Sequence, residues 1–250
     1  MYKLFKFEFK RVKKSRILIM TVILCVVIAV LGMALNELFY KNDNNPMGKM
    51  MSIFNAYTQF SYLILGFLFV QTFAKDYPNG VVNFYKQLGY SLTQQYICKF
   101  LVMVICTVPC IDVVVLICNF AYGNNNMKFL LIELLSLTFT LGYIILLAMF
   151  VASILKNTVK AVLVFFGLFV LFNIINIVAW GLINPADGNS IVTFCMSNWA
   201  GRKVSHYSLD RFFEQIMKYK EIVSCFVPLG WCMVMTIINT VTTKIKNRCL

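Results

Sequence analysis

Residues 1–39 read MYKLFKFEFKRVKKSR (1–16) followed by ILIMTVILCVVIAVLGMALNELF (17–39), a basic segment that runs directly into an apolar one. Seven of the 23 lysines and arginines stand in the first 16 positions, where Glu8 is the only acid. An apolar run of about 20 residues with a basic flank is typical of a membrane helix whose flank stays in the cytoplasm. The stretch therefore predicts a membrane protein with a cytoplasmic amino terminus.

The composition of the whole chain agrees with this prediction. Of the 250 residues, 60% are hydrophobic and 13% are charged, whereas about a quarter of an average soluble domain is charged. Six apolar windows are long enough to span a bilayer, and they cover 17–39, 53–73, 100–121, 129–155, 161–183 and 223–241. We therefore predict an all-α, polytopic protein whose single transmembrane domain covers residues 1–250. The first window is too long for a signal-peptide core and is expected to be retained.

The charges between the windows predict an orientation. With the amino terminus inside, the inner segments hold 15 of the 23 lysines and arginines, and the outer segments hold eight. Because cytoplasmic loops carry the excess of basic residues, both termini are predicted to be cytoplasmic. Residues 74–99 then form the longest inner loop, and residues 184–222 form the longest outer segment. The net charge of +13 is explained by this topology, so no nucleic-acid partner is expected.

Three segments between the windows have helical patterns of their own. In residues 1–16 an apolar stripe flanked by lysines predicts a helix in the headgroup layer, with a ragged basic tail as the alternative. The inner loop contains the turn YPNG at 77–80 and then a short amphipathic stretch that ends near Leu88. The outer segment could fold over the outer mouth as a cap. The residues of the first stripe are Tyr2, Phe5, Phe9 and Val12, and those of the cap are Trp199, Phe212, Phe213 and Ile216.

Motifs for catalysis are missing from the sequence. Gly48-Lys49 is followed by Met50, which does not fit the phosphate-binding motif of ATPases. The one histidine, His206, lies in the outer segment and excludes histidine-based chemistry within the membrane. The nine cysteines do not include two neighbouring pairs, and none of them has a histidine nearby, so the four ligands of a zinc site are not supplied. No enzymatic activity, metal or cofactor is therefore expected on this chain.

A few polar residues stand inside the apolar windows. Asp112 follows Pro109 by three residues, and Asn173 and Asn176 share a helix face. These three are candidates for a translocation path, because ionisable groups within a membrane usually face a bundle interior or an aqueous cavity. The alternative for Asp112 is a protonated or snorkelling carboxyl with a hydrogen-bonded neighbour. The alternative for the two asparagines is hydrogen bonding between helices. The same structural role is expected of Thr138, Thr140, Thr236 and Asn239.

Two stretches make the chain resemble the permease subunit of a type-2 ABC transporter. The first is FKFEFKR (5–11) before an apolar helix, which is similar to the amphipathic elbow helix that opens such permeases. The second is the inner loop, where Asp76, Gly80 and Lys99 match the acid, glycine and lysine of the family pattern. Val81 replaces the usual threonine, and no arginine occurs at 91–95.

The resemblance implies a function and a set of partners. In the family this inner loop is the coupling helix, which docks in a groove of a separate ATPase. Two ATPase subunits would bind ATP and magnesium, and a second permease copy or paralogue would complete the transporter in the bacterial plasma membrane. In its small size and charge asymmetry the chain resembles permeases that export amphipathic peptides or give immunity to them. Lantibiotics and phenol-soluble modulins are examples of such peptides. An ATP-independent secondary transporter, channel or membrane scaffold is the alternative.

The resemblance also implies which residues contact the ATPase. They lie between positions 76 and 88, and the apolar ones have no obvious partner within the chain. Their other role would be to lie on the bilayer surface. The set is Asp76, Gly80, Val81, Val82, Phe84, Tyr85 and Leu88.

Overall fold

The computed structural model describes residues 1–39, 46–123, 126–183 and 220–248, and every regular element in these ranges is an α-helix. The prediction of an all-α protein is therefore confirmed for the described residues. The proposed cap residues Trp199, Phe212, Phe213 and Ile216 lie outside them. The described helices are α1 (Tyr2–Lys14), α2 (Ile17–Phe39), α3 (Pro46–Lys75), α4 (Val81–Gln87), α5 (Leu92–Tyr122), α6 (Met127–Leu155), α7 (Thr158–Ile183) and α8 (Lys220–Arg248).

Each of the six apolar windows lies in a separate helix, namely α2, α3, α5, α6, α7 and α8. Three of them contain stretches long and apolar enough to cross a membrane: Ile17–Leu38 in α2, Leu92–Tyr122 in α5 and Leu130–Leu155 in α6. Within the described ranges, α3, α7 and α8 contain shorter apolar stretches. The chain is a helical membrane protein.

Helices α3 and α6 form the centre of the bundle. α3 packs against α2, α6 and α7, and α6 also packs against α5 and α8. The most apolar stretch of α6 is 67% buried, whereas that of α2 is 28% buried. Phe54, Tyr57 and Phe69 of α3 are fully enclosed. The outward sides of α2, α5, α7 and α8 expose large apolar side chains, as suits helices that face lipid.

A pair of buried hydrogen-bonding residues joins the helices of this bundle. The hydroxyl of Tyr57 in α3 donates to the carbonyl of Cys25 in α2 at 2.7 Å. Asn239 of α8 accepts from the hydroxyl of Tyr96 in α5 and donates to the carbonyl of Leu146 in α6 at 3.2 Å. The interhelical role predicted for Asn239 is confirmed. The same prediction is wrong for the threonines, which bond to carbonyls of their own helices four residues earlier: Thr138, Thr140 and Thr236.

Replacing Tyr57 with phenylalanine should lower the free energy of unfolding by about 1 kcal/mol, the usual net value of one internal hydrogen bond. The midpoint of thermal unfolding in detergent should fall by about 2–4 °C. The matched control is Tyr2→Phe, because the Tyr2 side chain is 78% exposed. If both variants shift the midpoint equally, the buried hydrogen bond contributes nothing.

The amino-terminal segment is a helix, which excludes the ragged tail, but its buried face differs from the predicted stripe. Leu4, Glu8 and Val12 lie one turn apart and are at most 3% exposed, against α2 and α5. Tyr2 and Phe9 of the predicted stripe are 78% and 38% exposed. Val12 belongs to both the predicted stripe and the buried face, and the location of the exposed stripe residues in the headgroup layer stays a prediction. The periodicity did not predict the burial of Glu8, which accepts a hydrogen bond from Arg11.

Candidate functional site

The turn between α3 and α4 shapes one end of the bundle, which we call the loop end. It is closed by hydrogen bonds from the amide of Gly80 to the carbonyl of Tyr77 and from the amide of Val81 to the carbonyl of Asp76, both at 3.1 Å. Gly80 has a φ of 72°, a left-handed conformation that glycine adopts without strain. The predicted turn at 77–80 and the short helix after it are confirmed.

Helix α4 has one face on the bundle and another facing outward. Val82 and Tyr85 are 9% and 5% exposed, and Val81 is packed in part against the core. Phe84 and Leu88 are 56% and 50% exposed. The expectation that the apolar residues of α4 lack partners within the chain is therefore wrong for Val82 and Tyr85. Phe84 and Leu88 form the outward apolar face, which we call the α4 surface.

Asp76, at the start of the turn, is held by two cations from distant parts of the chain. Its carboxylate accepts two hydrogen bonds from the guanidinium of Arg11, one of them from Nη2 at 3.1 Å, and one from Nζ of Lys99 at 2.6 Å. Arg11 belongs to α1 and Lys99 to α5. Because Asp76 is only 3% exposed, its carboxylate ties three segments together and is not part of the α4 surface.

Glu8 completes a group of four charges that we call the charge cluster. Nε of Arg11 donates to Oε2 of Glu8 at 2.8 Å, while the same guanidinium binds Asp76. Two carboxylates and two cations balance, so the cluster of Glu8, Arg11, Asp76 and Lys99 has no formal net charge. Burial alone would lower the pKa of Arg11, but the hydrogen bond and charge of Asp76 and the charge of Glu8 raise it above its ordinary value. Arg11 therefore stays charged, as a buried ion pair requires.

Two tyrosines connect the charge cluster to the turn and to α4. Nζ of Lys99 lies 6.0 Å from the centre of the Tyr85 ring. Burial, and then the charge of Glu8, raise the pKa of Tyr85, while burial and the charge of Asp76 raise the pKa of Tyr77 to about 12. Both phenols are thus neutral at physiological pH. Tyr85 thus places the inner face of α4 beside the same charges that join α1 to α5.

Of the three residues predicted for a translocation path, only Asp112 has a side chain within the described part of the chain. Asp112 lies half-buried in α5 and forms no salt bridge within the described ranges. The backbones of Asn173 and Asn176 belong to α7, but their side chains lie outside the described part of the chain. Among the described residues no group of three or more histidine, cysteine, aspartate or glutamate side chains could hold a metal.

The sequence pattern did not reveal how α1 takes part in the site. Arg11 is one of seven basic residues in the first 16 positions, and nothing in the local sequence distinguishes it from the others. Its partner Asp76 lies 65 positions further along the chain. One signal could have pointed to it, because Glu8 and Arg11 are a pair at i, i+3 in a segment with no other acid. The four residues form a site only after α1 folds against α5.

Comparison with known proteins adds an independent observation. No curated protein and no solved structure matches the chain significantly. Residues 5–249 match the peptide export permease protein YydJ family, which leaves only a few terminal residues unmatched. That description agrees with apolar helices long enough to cross a membrane. The chain belongs to the YydJ family of peptide export permease proteins.

Proposed function

We propose that this chain is the membrane-spanning subunit of an ATP-driven ABC exporter that carries an amphipathic peptide across the bacterial plasma membrane. The α4 surface is the observation that carries the proposal. It consists of two large exposed apolar side chains at the loop end, Phe84 of the seven-residue helix α4 and Leu88, the residue that follows it. An apolar patch that the chain does not cover is typical of a contact with another protein or with the membrane, and the family resemblance favours the protein.

The support beneath α4 suits a helix that transmits force. Val82 and Tyr85 pack its inner face onto the bundle, and the charge cluster fixes the preceding turn to α1 and α5. A partner that displaces α4 would therefore move these helices together, as in a rigid-body switch. An ATPase that closes on ATP is a partner of this kind.

The remaining parts of the proposal follow from sequence and family. We place one membrane crossing in each of α2, α3, α5, α6, α7 and α8, with α4 and both termini in the cytoplasm, because the basic residues concentrate on that side. A separate ATPase, present in two copies, would bind ATP and magnesium. A second permease subunit would enclose the path. The family description supports a peptide as the cargo.

The test is co-purification of the ATPase with a variant that carries Phe84→Asp and Leu88→Asp. Placing two carboxylates in an apolar interface costs several kcal/mol, so recovery of the ATPase should fall more than about tenfold. The matched control is Phe7→Asp, because Phe7 is 55% exposed but lies on α1. It should keep the ATPase.

Two results would contradict the proposal. The first is unchanged recovery of the ATPase with the double variant, which would move the contact away from the α4 surface. The second is that no ATPase is crosslinked to the unaltered protein in native membranes. Transport driven by an ion gradient would then be tested instead, beginning with Asp112→Asn.

A further inference from the structure

A cleft of about 520 Å³ opens at the loop end of the bundle, beside α4. Its walls come from the end of α3, the turn before α4, α4 itself, the first turns of α5, the end of α6 and one residue of α8. Apolar side chains such as Val82 and Met149 and aromatic ones such as Tyr96 line much of it. The volume is that of a small-molecule site, which is commonly about 300–1,000 Å³.

The charges that line this cleft all have one sign. Lys86, Lys99 and Lys156 contribute to its walls, and no carboxylate does. Lys99 is paired with the buried Asp76. Lys86 and Lys156 form no salt bridge with any described residue. The cleft therefore offers two uncompensated cations to a ligand, and the ligand it suits is an anion with an apolar part.

The backbone at Lys156 gives a second observation. Lys156 follows the last residue of α6 and has a φ of 51°, in the left-handed region. Glycine is the usual residue at such a helix end, because a Cβ atom makes this conformation unfavourable. A lysine here keeps a positive charge on the rim of the cleft despite an unfavourable backbone conformation.

Two kinds of anionic amphiphile, a peptide and a phospholipid, have this chemistry. The cleft is partly open, so only the charged part of either ligand has to enter it. Its position at the end of membrane helices favours the phospholipid, because anionic headgroups of the inner leaflet lie at this level and attract lysines there. The acyl chains of such a lipid would lie along exposed apolar residues of α5 and α8, two of the helices that line the cleft. These residues include Ile97, Leu101, Val241 and Ile245.

We propose that this cleft binds the phosphate headgroup of an anionic phospholipid of the inner leaflet. The proposal rests on the orientation given under the proposed function, because the loop end must face the cytoplasm. Basic pockets between helices on the cytoplasmic side suit such headgroups. A lipid bound here would contact Lys86 of α4, the helix proposed to receive the ATPase, and Lys156 at the end of α6. The occupant would be a structural lipid of the coupling region.

The experiment measures binding of dioctanoyl phosphatidylglycerol to the purified chain in a neutral detergent, without any ATPase. The test variant is Lys86→Gln with Lys156→Gln, and the matched control is Lys75→Gln with Lys160→Gln, which removes two exposed lysines outside the cleft. The test variant should bind about tenfold more weakly than the unaltered protein. The control should bind equally well. Replacing Lys86 and Lys156 with arginine keeps both charges and should keep the affinity.

Further arms separate the sources of the phosphate. Dioctanoyl phosphatidylcholine should bind at least about tenfold more weakly than the glycerol lipid, and glycerol 3-phosphate should not compete. Equal weakening in the control, or loss of affinity in the arginine variant, would overturn the proposal. Competition by glycerol 3-phosphate would make the cleft a site for a soluble phosphate, and competition by an amphipathic peptide would make it a cargo site. Because no ATPase is present, failure here is separate from failure of the proposed coupling.

Discussion

Replacing Asp76 with asparagine is expected to lower the free energy of unfolding by about 3–5 kcal/mol, the usual cost of removing one partner of a buried ion pair. The amide is almost the same shape as the carboxylate, but it removes the charge and replaces one acceptor oxygen by an NH2 donor that faces the donors of Arg11 or Lys99. It leaves Arg11 and Lys99 with Glu8 as their only compensating acid within the charge cluster. In detergent the thermal midpoint should fall by about 6–20 °C.

A second substitution tests whether charge balance is the cause. Adding Lys99→Met to Asp76→Asn removes one of the two cations and leaves Arg11 paired with Glu8. Since apolar residues often replace buried ion pairs without loss, the double variant should recover at least half of the lost stability. Glu37→Ala removes an exposed acid and should change the midpoint little. A double variant less stable than the single one would contradict the interpretation.

The charge cluster explains what two of the residues that match the ABC permease pattern do in this chain. The family pattern matched Asp76 and Lys99 by position alone, and the structure shows that the two bind each other at 2.6 Å. Arg11 adds α1 to the same carboxylate. We therefore expect the acid and the lysine to support α4 from inside, while Phe84 and Leu88 provide the surface for a partner. Val82 and Tyr85 belong to the support.

The fold was largely predictable from the sequence because its main determinants are local. Each apolar window was long enough to make a helix regardless of its neighbours, and all six lie in separate helices. The turn at 77–80 was predictable because Pro78, Asn79 and Gly80 restrict the backbone in ways that favour a reversal. Nothing in these features depends on which helices meet.

The site was less predictable because its determinants are not local. The buried side of α4 depends on where α5 and α1 pack. The short sequence of α4 would allow more than one of its sides to be buried. In α1 the buried position of Glu8 contradicts any pattern based on hydrophobicity, since its partner Arg11 is itself shared with Asp76. Long-range ion pairs of this kind can be found only when the packing is known.

Close helix packing leads to a second large effect, at Gly32 of α2. A Cβ atom at this position would lie 2.7 Å from Cα of Ile53 and 3.1 Å from Cβ of Ala56, both in α3. Helices in membranes approach this closely where one of them has a small residue. The apolar run around Gly32 gave no sign of this contact, because a glycine is compatible with many positions in a membrane helix.

Replacing Gly32 with valine is expected to lower the free energy of unfolding by about 3 kcal/mol, at the upper end for overpacked cores. The obstacle is the backbone of α3, which cannot rotate away as a side chain could, so α2 and α3 must move apart. Their separation would also strain the hydrogen bond from Tyr57 to Cys25. Thermal unfolding in detergent is the measurement.

Gly167→Val is the matched control, because nothing lies within 4 Å of a Cβ atom at Gly167. Since valine is a slightly better helix former than glycine, the control should be neutral or slightly stabilising. Equal losses of stability at both positions would show that helix propensity, not the contact of α2 with α3, determines the result.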